Sequence, residues 1–295
     1  MIEGKTKRIV PGPDPGTVVL ISKDALTGGD AARVAAIDAI GVMKTTQAAN
    51  VFALLAEAEI PTAFIRQLDE RSLLCWDCEM LSVEYVLRRR PWGSYPLRHP
   101  DHADTAPFDD PVVERFHKKA MILPPASPEP RLLDEGAARA EFLRDGVWAE
   151  GIFTDPYIHP TAEGWTLHPA KKPLTPGPGG LTIAAPITPE QDTVIVETVL
   201  KPAFLILESA WRQIETPDGP IELIDCKFEV GIRRTDGALI LSDVVDNDSW
   251  RIWPGGDPTK QLDKQSFRDG NPLDAVEHLY RRVTDMTSHL AGHAR

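Results

Sequence analysis

The sequence predicts an α+β protein of two lobes, an N-terminal antiparallel sheet lobe at residues 1–83 and a larger α/β lobe at 84–295. Three observations carry this. Hairpins read with a period of two at residues 3–22 and again at 223–245, where apolar and charged side chains alternate. Apolar stripes of helical spacing run through 45–59, 192–214 and 273–290. A chain of 295 residues with 42% hydrophobic content suits two lobes better than one small domain. The formal charge of −12 argues against nucleic acid as a partner, so an anionic small molecule would need a local basic pocket. No run of about 18 apolar residues exists, and residues 1–5 lack the apolar core of a signal peptide. The expectation is a cytosolic protein without membrane contact. Cys75, Cys78 and Cys226 give no disulfide framework, and the Cys75–Cys78 pair lacks the second pair of ligands that a zinc site needs.

The elements follow in order. Residues 3–10 lead through a Pro/Gly turn at 11–16 into a strand at 17–22. Lys5 and Lys7 share one face there, either to meet phosphate oxygens or to guard a solvated edge. The turn at 27–30 suits a helix cap at Asp30, and Gly28-Gly29 is weak evidence for an anion cradle. A scaffold helix is expected from Thr45 to Glu59, ending before Pro61. Strands at 62–66 and 72–77 lead to 79–84, an extended segment that on its own reads as a plain interior strand. Arg88, Arg89 and Arg90 are the obvious basic cluster in an acidic chain, and a solvated basic turn is their plainer reading. Between 101 and 189 the sequence says least. It holds Asp155-Pro156, a helix expected at 133–143, and Pro-rich stretches at 123–131 and 169–189 that look like insertions. Pro202 is expected to kink or split the helical stripe at 192–214, which should pack beneath the second hairpin.

That hairpin holds the densest chemistry. Ile224, Cys226, Phe228 and Val230 alternate with Asp225, Lys227 and Glu229, and the chain turns at 235–237 into a returning strand with Asp243. A hairpin symmetric about Asp236 sets Glu229 opposite Asp243. Like charges facing across a ladder repel, and a divalent cation such as Mg²⁺ would relieve them; a solvated acidic face is the alternative. Residues 246–253 are expected as a polar loop dense in acids, amides and tryptophans, costly to hold unless something binds it.

The stretch DVVDNDSWRIWPGGD, with DKQSFRD after it, resembles the SAICAR synthetase family, in wording nearest the synthetase half of the animal bifunctional enzyme. EGKTK at the start, KDALTGGDAAR with Gly28 where alanine is usual, Arg88 before Gly93-Ser94, DPVVERFHK, Asp155-Pro156 and DCKFE fall in the family's order. The resemblance implies a two-lobed, ATP-grasp-like or kinase-like fold whose N-terminal lobe covers ATP. It implies ATP contacts from Lys5, Lys7, Glu79, Met80, Ser82, Glu84, Lys118 and Glu229, with 79–84 a hinge along the adenine. It implies Mg²⁺ on Glu229 and Asp243, and catalytic roles for Asp225, Lys227 and Asp248. Substrate contacts are implied for Arg88, Ser94, Asp155, Ser249, Arg251 and Arg268. The implied activity is an ATP-dependent ligase joining L-aspartate to carboxyaminoimidazole ribonucleotide through an acyl phosphate, giving SAICAR, ADP and phosphate. No residue is assigned as base for the amine. Trp92, Gly28 and the Pro-rich stretches motivate an alternative, a specialised member acting on a related nucleotide. Partners are then small molecules; a homo-oligomer is left open, and the animal carboxylase domain is not expected before the chain ends at Arg295.

Overall fold

A computed structural model describes residues 2–28, 33–102, 106–174 and 180–290, with 27, 28, 33 and 34 described by backbone alone. The chain forms two compact units, one of residues 1–80 with 197–295 and one of residues 81–196. The lobes expected from the sequence are continuous stretches, whereas contact density returns the C-terminal segment to the N-terminal unit. Within each unit the paired strands run antiparallel. The second unit is therefore α+β rather than α/β, because parallel pairs need crossover helices.

In the first unit, strands Ile2–Glu3, Lys7–Pro11, Thr17–Ser22, Ser72–Trp76 and Phe64–Asp69 form a sheet in that order. The hairpin of Lys7–Pro11 and Thr17–Ser22 turns at Gly16, whose φ of 77° is open to glycine without strain. Where the sequence suggested a turn into a helix, strands Ala25–Gly28 and Arg33–Ala36 pair instead; Gly29 and Asp30 lie outside the described residues. The first long helix is Ile40–Glu57, beginning earlier than expected because Ile40 and Met43 extend the apolar stripe. Both join Leu26, Ile37, Phe267, Val276 and Tyr280 in one cluster. The last helix, Leu273–Thr287, packs against it. Gln47 ties the two, donating to the Tyr280 carbonyl at 3.2 Å and the Thr284 hydroxyl at 2.8 Å.

The central strand of this unit is Gly219–Arg233, onto which Leu239–Ser242 and Trp250–Pro254 pair at successive positions. Trp250 and Trp253 are thus strand residues with buried rings, so the polar loop expected through 253 stops at 249. Helix Lys201–Arg212 packs on the central strand, and Trp211 meets Trp250 edge-on at 5.3 Å between centroids. Pro202 lies in the first turn of that helix, where its missing N–H is harmless, and the π-helical turn Val196–Leu200 precedes it.

In the second unit, strands Cys78–Arg88, Val112–His117, Tyr157–Thr161, Gly164–His168 and Leu181–Ile183 pair in that order. A smaller sheet sets Lys119–Ile122 between Arg131–Asp134 and Ile152–Phe153, under helix Glu135–Phe142. Their core is Ala120, Ile122, Ala138 and Ile152. Ordered elements thus occupy much of the region that the sequence left blank. No helix among the described residues is long and apolar enough to cross a membrane.

Candidate active site

Burial decides the reading of the central strand. Asp225 is 4% and Glu229 5% exposed, so the charged face is not a solvated one. A carboxylate in such a place needs a partner. Arg251, opposite Asp225 in register, donates to its Oδ2 at 2.5 Å. Lys227, between the two acids on the same face, reaches Glu229 Oε1 at 3.3 Å. The Arg251 guanidinium is held above its ordinary range by the Asp225 carboxylate.

The hairpin register differs from the symmetric one. Glu229 pairs with Ser242 rather than Asp243, and Ile232 with Leu239. The cause is the turn: Arg233 donates to the Ala238 carbonyl at 2.8 Å, so the loop is centred a half-residue before Asp236. A shift of one residue changes which face a side chain takes. Asp243 has already left the strand, at a φ of 58° that residues other than glycine seldom adopt. From there its carboxylate accepts from Lys7 Nζ at 2.7 Å, which ties the N-terminal hairpin to the acids. Lys5 is exposed. Among the described residues no group of three or more His, Cys, Asp and Glu is arranged to hold a metal ion. A donor set of Glu229 and Asp243 instead fits an ion that takes its remaining oxygens from a phosphate or water, the habit of Mg²⁺.

Asp248 is engaged on both carboxylate oxygens. Lys44 lies 2.7 Å and Lys264 3.0 Å from its Oδ2, and the Tyr280 hydroxyl donates to Oδ1 at 2.5 Å. Burial opposes its charge, but Lys44 and Lys264 outweigh that and hold the carboxyl far below the usual range. Such a carboxylate is a poor proton acceptor. Neighbouring Asp246 is pushed up by burial and by the Asp248 charge. The intervening Asn247 is fully buried, donating to the Leu262 carbonyl at 3.1 Å and accepting from the Trp250 indole at 2.8 Å. Ser249 Oγ lies 3.4 Å from both the Val244 carbonyl and the Asp246 amide. Sequence reasoning missed Lys44, Lys264 and Tyr280. The signal for Lys44 was present, since it lies one turn from both Ile40 and Ala48 in an apolar stripe where a lysine has no ordinary place.

Asp263 lies near Arg251. Its Oδ1 accepts the Gln265 amide at 2.7 Å, while its Oδ2 is buried without a hydrogen-bond partner. Burial pushes this carboxyl up to about 6. Arg268, at the end of helix Gln265–Arg268, reaches Gln265 Oε1 at 3.3 Å.

Met80 and Ser82 are exposed on strand Cys78–Arg88 and Glu84 is half-buried, while Glu79 meets Arg234 at 3.3 Å. The exposed Lys118 donates its amide to the Ser82 carbonyl at 3.0 Å. Arg88 is buried and reaches Glu114 Oε2 at 2.5 Å, with Arg98 on the other oxygen of the same carboxylate. Arg89 donates to the carbonyls of Phe108 and Asp109. Arg88 is therefore set into a buried Arg–Glu–Arg group, while Arg89 and Arg90 are half-buried. Ser94 precedes the short helix Tyr95–Arg98. Asp155 sits at a φ of 45° directly before proline, a doubly disfavoured conformation that often marks a functional position.

The family model described as SAICAR synthetase matches residues 1–131 and 189–286. The Pro-rich stretch at 123–131 thus lies within the matched region, while 132–188 falls outside it. Phosphoribosylaminoimidazole-succinocarboxamide synthase of Chloroflexus aggregans is 34% identical over 291 residues, 97% of this chain and 94% of that one. Multifunctional protein ADE2 of Gallus gallus is 33% identical over 268 residues, 90% of this chain but 51% of that protein. Among solved structures, a type-2 SAICAR synthetase in complex with ADP superposes with a TM-score of 0.65 at 20% identity, covering 97% of both chains. The Saccharomyces cerevisiae SAICAR synthase complexed with SAICAR gives 0.60 at 16% identity, covering 99% of this chain and 94% of that one.

Proposed function

The chain belongs to the SAICAR synthetase family, and on that premise we propose that it is an ATP-dependent ligase joining L-aspartate to carboxyaminoimidazole ribonucleotide in purine biosynthesis. The observation that carries this reading is the pair of buried acids Asp225 and Glu229 on one strand face, with Arg251 on the first and the half-buried Lys227 between the two. Charged side chains taken out of water and held in order make a preorganised field for a reaction that moves negative charge. Relatives crystallised with ADP and with SAICAR support the same substrates.

A carboxylate does not condense with an amine in water unaided, so we assign an acyl phosphate to the path. A carboxylate oxygen of the ribonucleotide bonds to the γ-phosphorus of ATP as the bridging P–O bond breaks, and ADP leaves. The amine nitrogen then bonds to the acyl carbon as the C–O bond to phosphate breaks. Lys227 opposes charge on the transferring phosphoryl group. Glu229 and Asp243 would hold a magnesium ion, which would supply neutralisation of the same charge. Lys5 and Lys7 are assigned to the ATP phosphates, and Glu79, Met80, Ser82, Glu84 and Lys118 to the nucleotide, with the N-terminal sheet read as the ATP-grasp-like or kinase-like cover. Arg88, Ser94, Arg251 and Arg268 are assigned to the anionic groups of the ribonucleotide, where arginine's planar fork suits carboxylate and phosphate. Asp155 and Ser249 are assigned to the amino acid, and Asp248 to orienting its amine. Freely diffusing metabolites of this kind support a cytosolic location.

The test is an assay of purified protein with ATP, Mg²⁺, carboxyaminoimidazole ribonucleotide and L-aspartate. ADP release that requires aspartate, with a product of the mass of SAICAR, is expected. Release indifferent to aspartate overturns the assignment.

A further inference from the structure

Two lysines meet one carboxylate oxygen at Asp248, Lys44 at 2.7 Å and Lys264 at 3.0 Å. One negative charge thus faces two ammonium groups, and like charges that close disfavour both being protonated. The two are not equivalent. Lys44, on the first long helix, is 5% exposed and also faces the carboxylates of Asp246 and Asp243, which hold its charge against burial. Lys264 faces Asp248 as its acid, with the cations of Lys44 and of Arg268 against it. Tyr280, from the last helix, completes the group by donating to the other oxygen of Asp248. At 11% exposure beside an Asp248 that is 20% exposed, Lys264 is also the more accessible of the two amines.

We propose that Lys264 is the general base that takes a proton from the attacking amine, with Lys44, Asp248 and Tyr280 as its positioning residues. The assignment rests on the ligase reading above. An amino acid enters as its ammonium form, whose nitrogen has no lone pair to attack with. Neutral Lys264 accepts one of those protons and becomes an ammonium, and the freed nitrogen bonds to the acyl carbon. The electron pair of the breaking C–O bond leaves with phosphate, which takes the second amine proton. Lys264 returns its own proton to water between turnovers. Burial first, and then Lys44, lower the proton affinity of Lys264, the direction a base working near neutral pH requires. Lys44 and Tyr280 keep Asp248 ionised, so that its Oδ2 accepts from the amine and aims the lone pair of Lys264.

Two variants and two nucleophiles test this. Lys264→Arg keeps a cation beside Asp248 but cannot give up its proton; Lys264→Met removes the group. Both are expected to lose aspartate-dependent turnover by about 10²-fold or more, the usual loss for a removed base. Both should also lose the fall of kcat/KM for aspartate on the acid side of its pH profile. Hydroxylamine, a nucleophile already unprotonated at neutral pH, should still drive ADP release in both. Recovery of aspartate-dependent turnover in Lys264→Arg overturns the proposal, since it marks a purely charge-balancing lysine. So does an equal loss with hydroxylamine. If the wild-type protein releases no ADP in response to aspartate, the ligase reading fails first, and that result is separate from either variant's.

Discussion

At the scale of single residues, the acids here differ in what they do to stability. Asp263 carries a buried, unpartnered Oδ2, and its carboxyl lies at about 6 in the folded chain against an ordinary 3.8. The folded state therefore holds this proton more tightly than the unfolded state does. The burden is absent below the ordinary value, grows as pH rises between the two, and is complete above the upper one at about 3 kcal/mol. Asp263→Asn keeps an oxygen for the Gln265 amide and removes the charge. Its stability relative to wild type should rise between pH 4 and pH 7 by about 2–3 kcal/mol, read from urea unfolding at both pH values; a constant difference would show that Asp263 is not the titrating group. The Asp225–Arg251 pair has the opposite character. Arg251→Met leaves the buried Asp225 carboxylate without its guanidinium, and a loss of about 3–5 kcal/mol is expected by the same measurement. The alternation of Asp225, Lys227 and Glu229 was legible from sequence because a strand has a period of two. Asp263 was not, since nothing in DKQ tells a capping acid in water from one enclosed by Arg251 and Arg268.

At the scale of elements, legibility followed periodicity and failed at turns. The stripes at 45–59, 192–214 and 273–290 all correspond to helices, because burial of an apolar face depends on spacing alone. The second hairpin was found, yet its register slipped by one residue. A loop centred beside Asp236 or upon it differs by one hydrogen bond, here from Arg233 to Ala238. That bond sets whether Asp243 faces Glu229 or leaves the ladder for Lys7. The 246–253 stretch was read as loop because acids and amides mask two strand tryptophans. Close packing makes the hairpin sensitive at Gly231. A Cβ there meets Cys78 Cβ at 2.7 Å and Ser242 Oγ at 2.9 Å, with the Met80 sulfur at 3.1 Å. Gly231→Ala should lower stability by about 1–3 kcal/mol through that overlap. It should also raise KM for ATP more than it lowers kcat if Met80 packs on the nucleotide as proposed; an unchanged KM would detach Met80 from that role.

At the scale of the whole molecule, acidity and anion binding have to coexist. A chain of formal charge −12 repels nucleotides at long range, so attraction must be local. Cations set among acids would supply it on the proposed reading, Lys7 on Asp243, Lys227 on Glu229 and Lys44 with Lys264 on Asp248. Two of these cations, Lys7 and Lys227, lean on the carboxylates proposed for the metal. ATP without Mg²⁺ would meet those carboxylates as like charges, whereas a divalent ion held there, as proposed, would replace the lysines on Glu229 and Asp243 and leave them for phosphate. Binding should therefore be linked to the ion, and the link is measurable on the folded chain without any turnover. A ligand at about 100 times its dissociation constant stabilises the folded state by about 2.7 kcal/mol, a rise in melting temperature of about 4–5 °C for a chain of this size. Mg²⁺ with ATP should give that shift, and chelation with EDTA should remove most of it. Glu229→Gln with Asp243→Asn should remove the Mg²⁺ dependence while leaving ATP alone to bind no worse, since the repelling charges are gone. A shift by ATP that is equal with Mg²⁺ and with EDTA in the wild-type protein would place the metal elsewhere, or nowhere, and would leave the two acids as partners for Lys7 and Lys227 only.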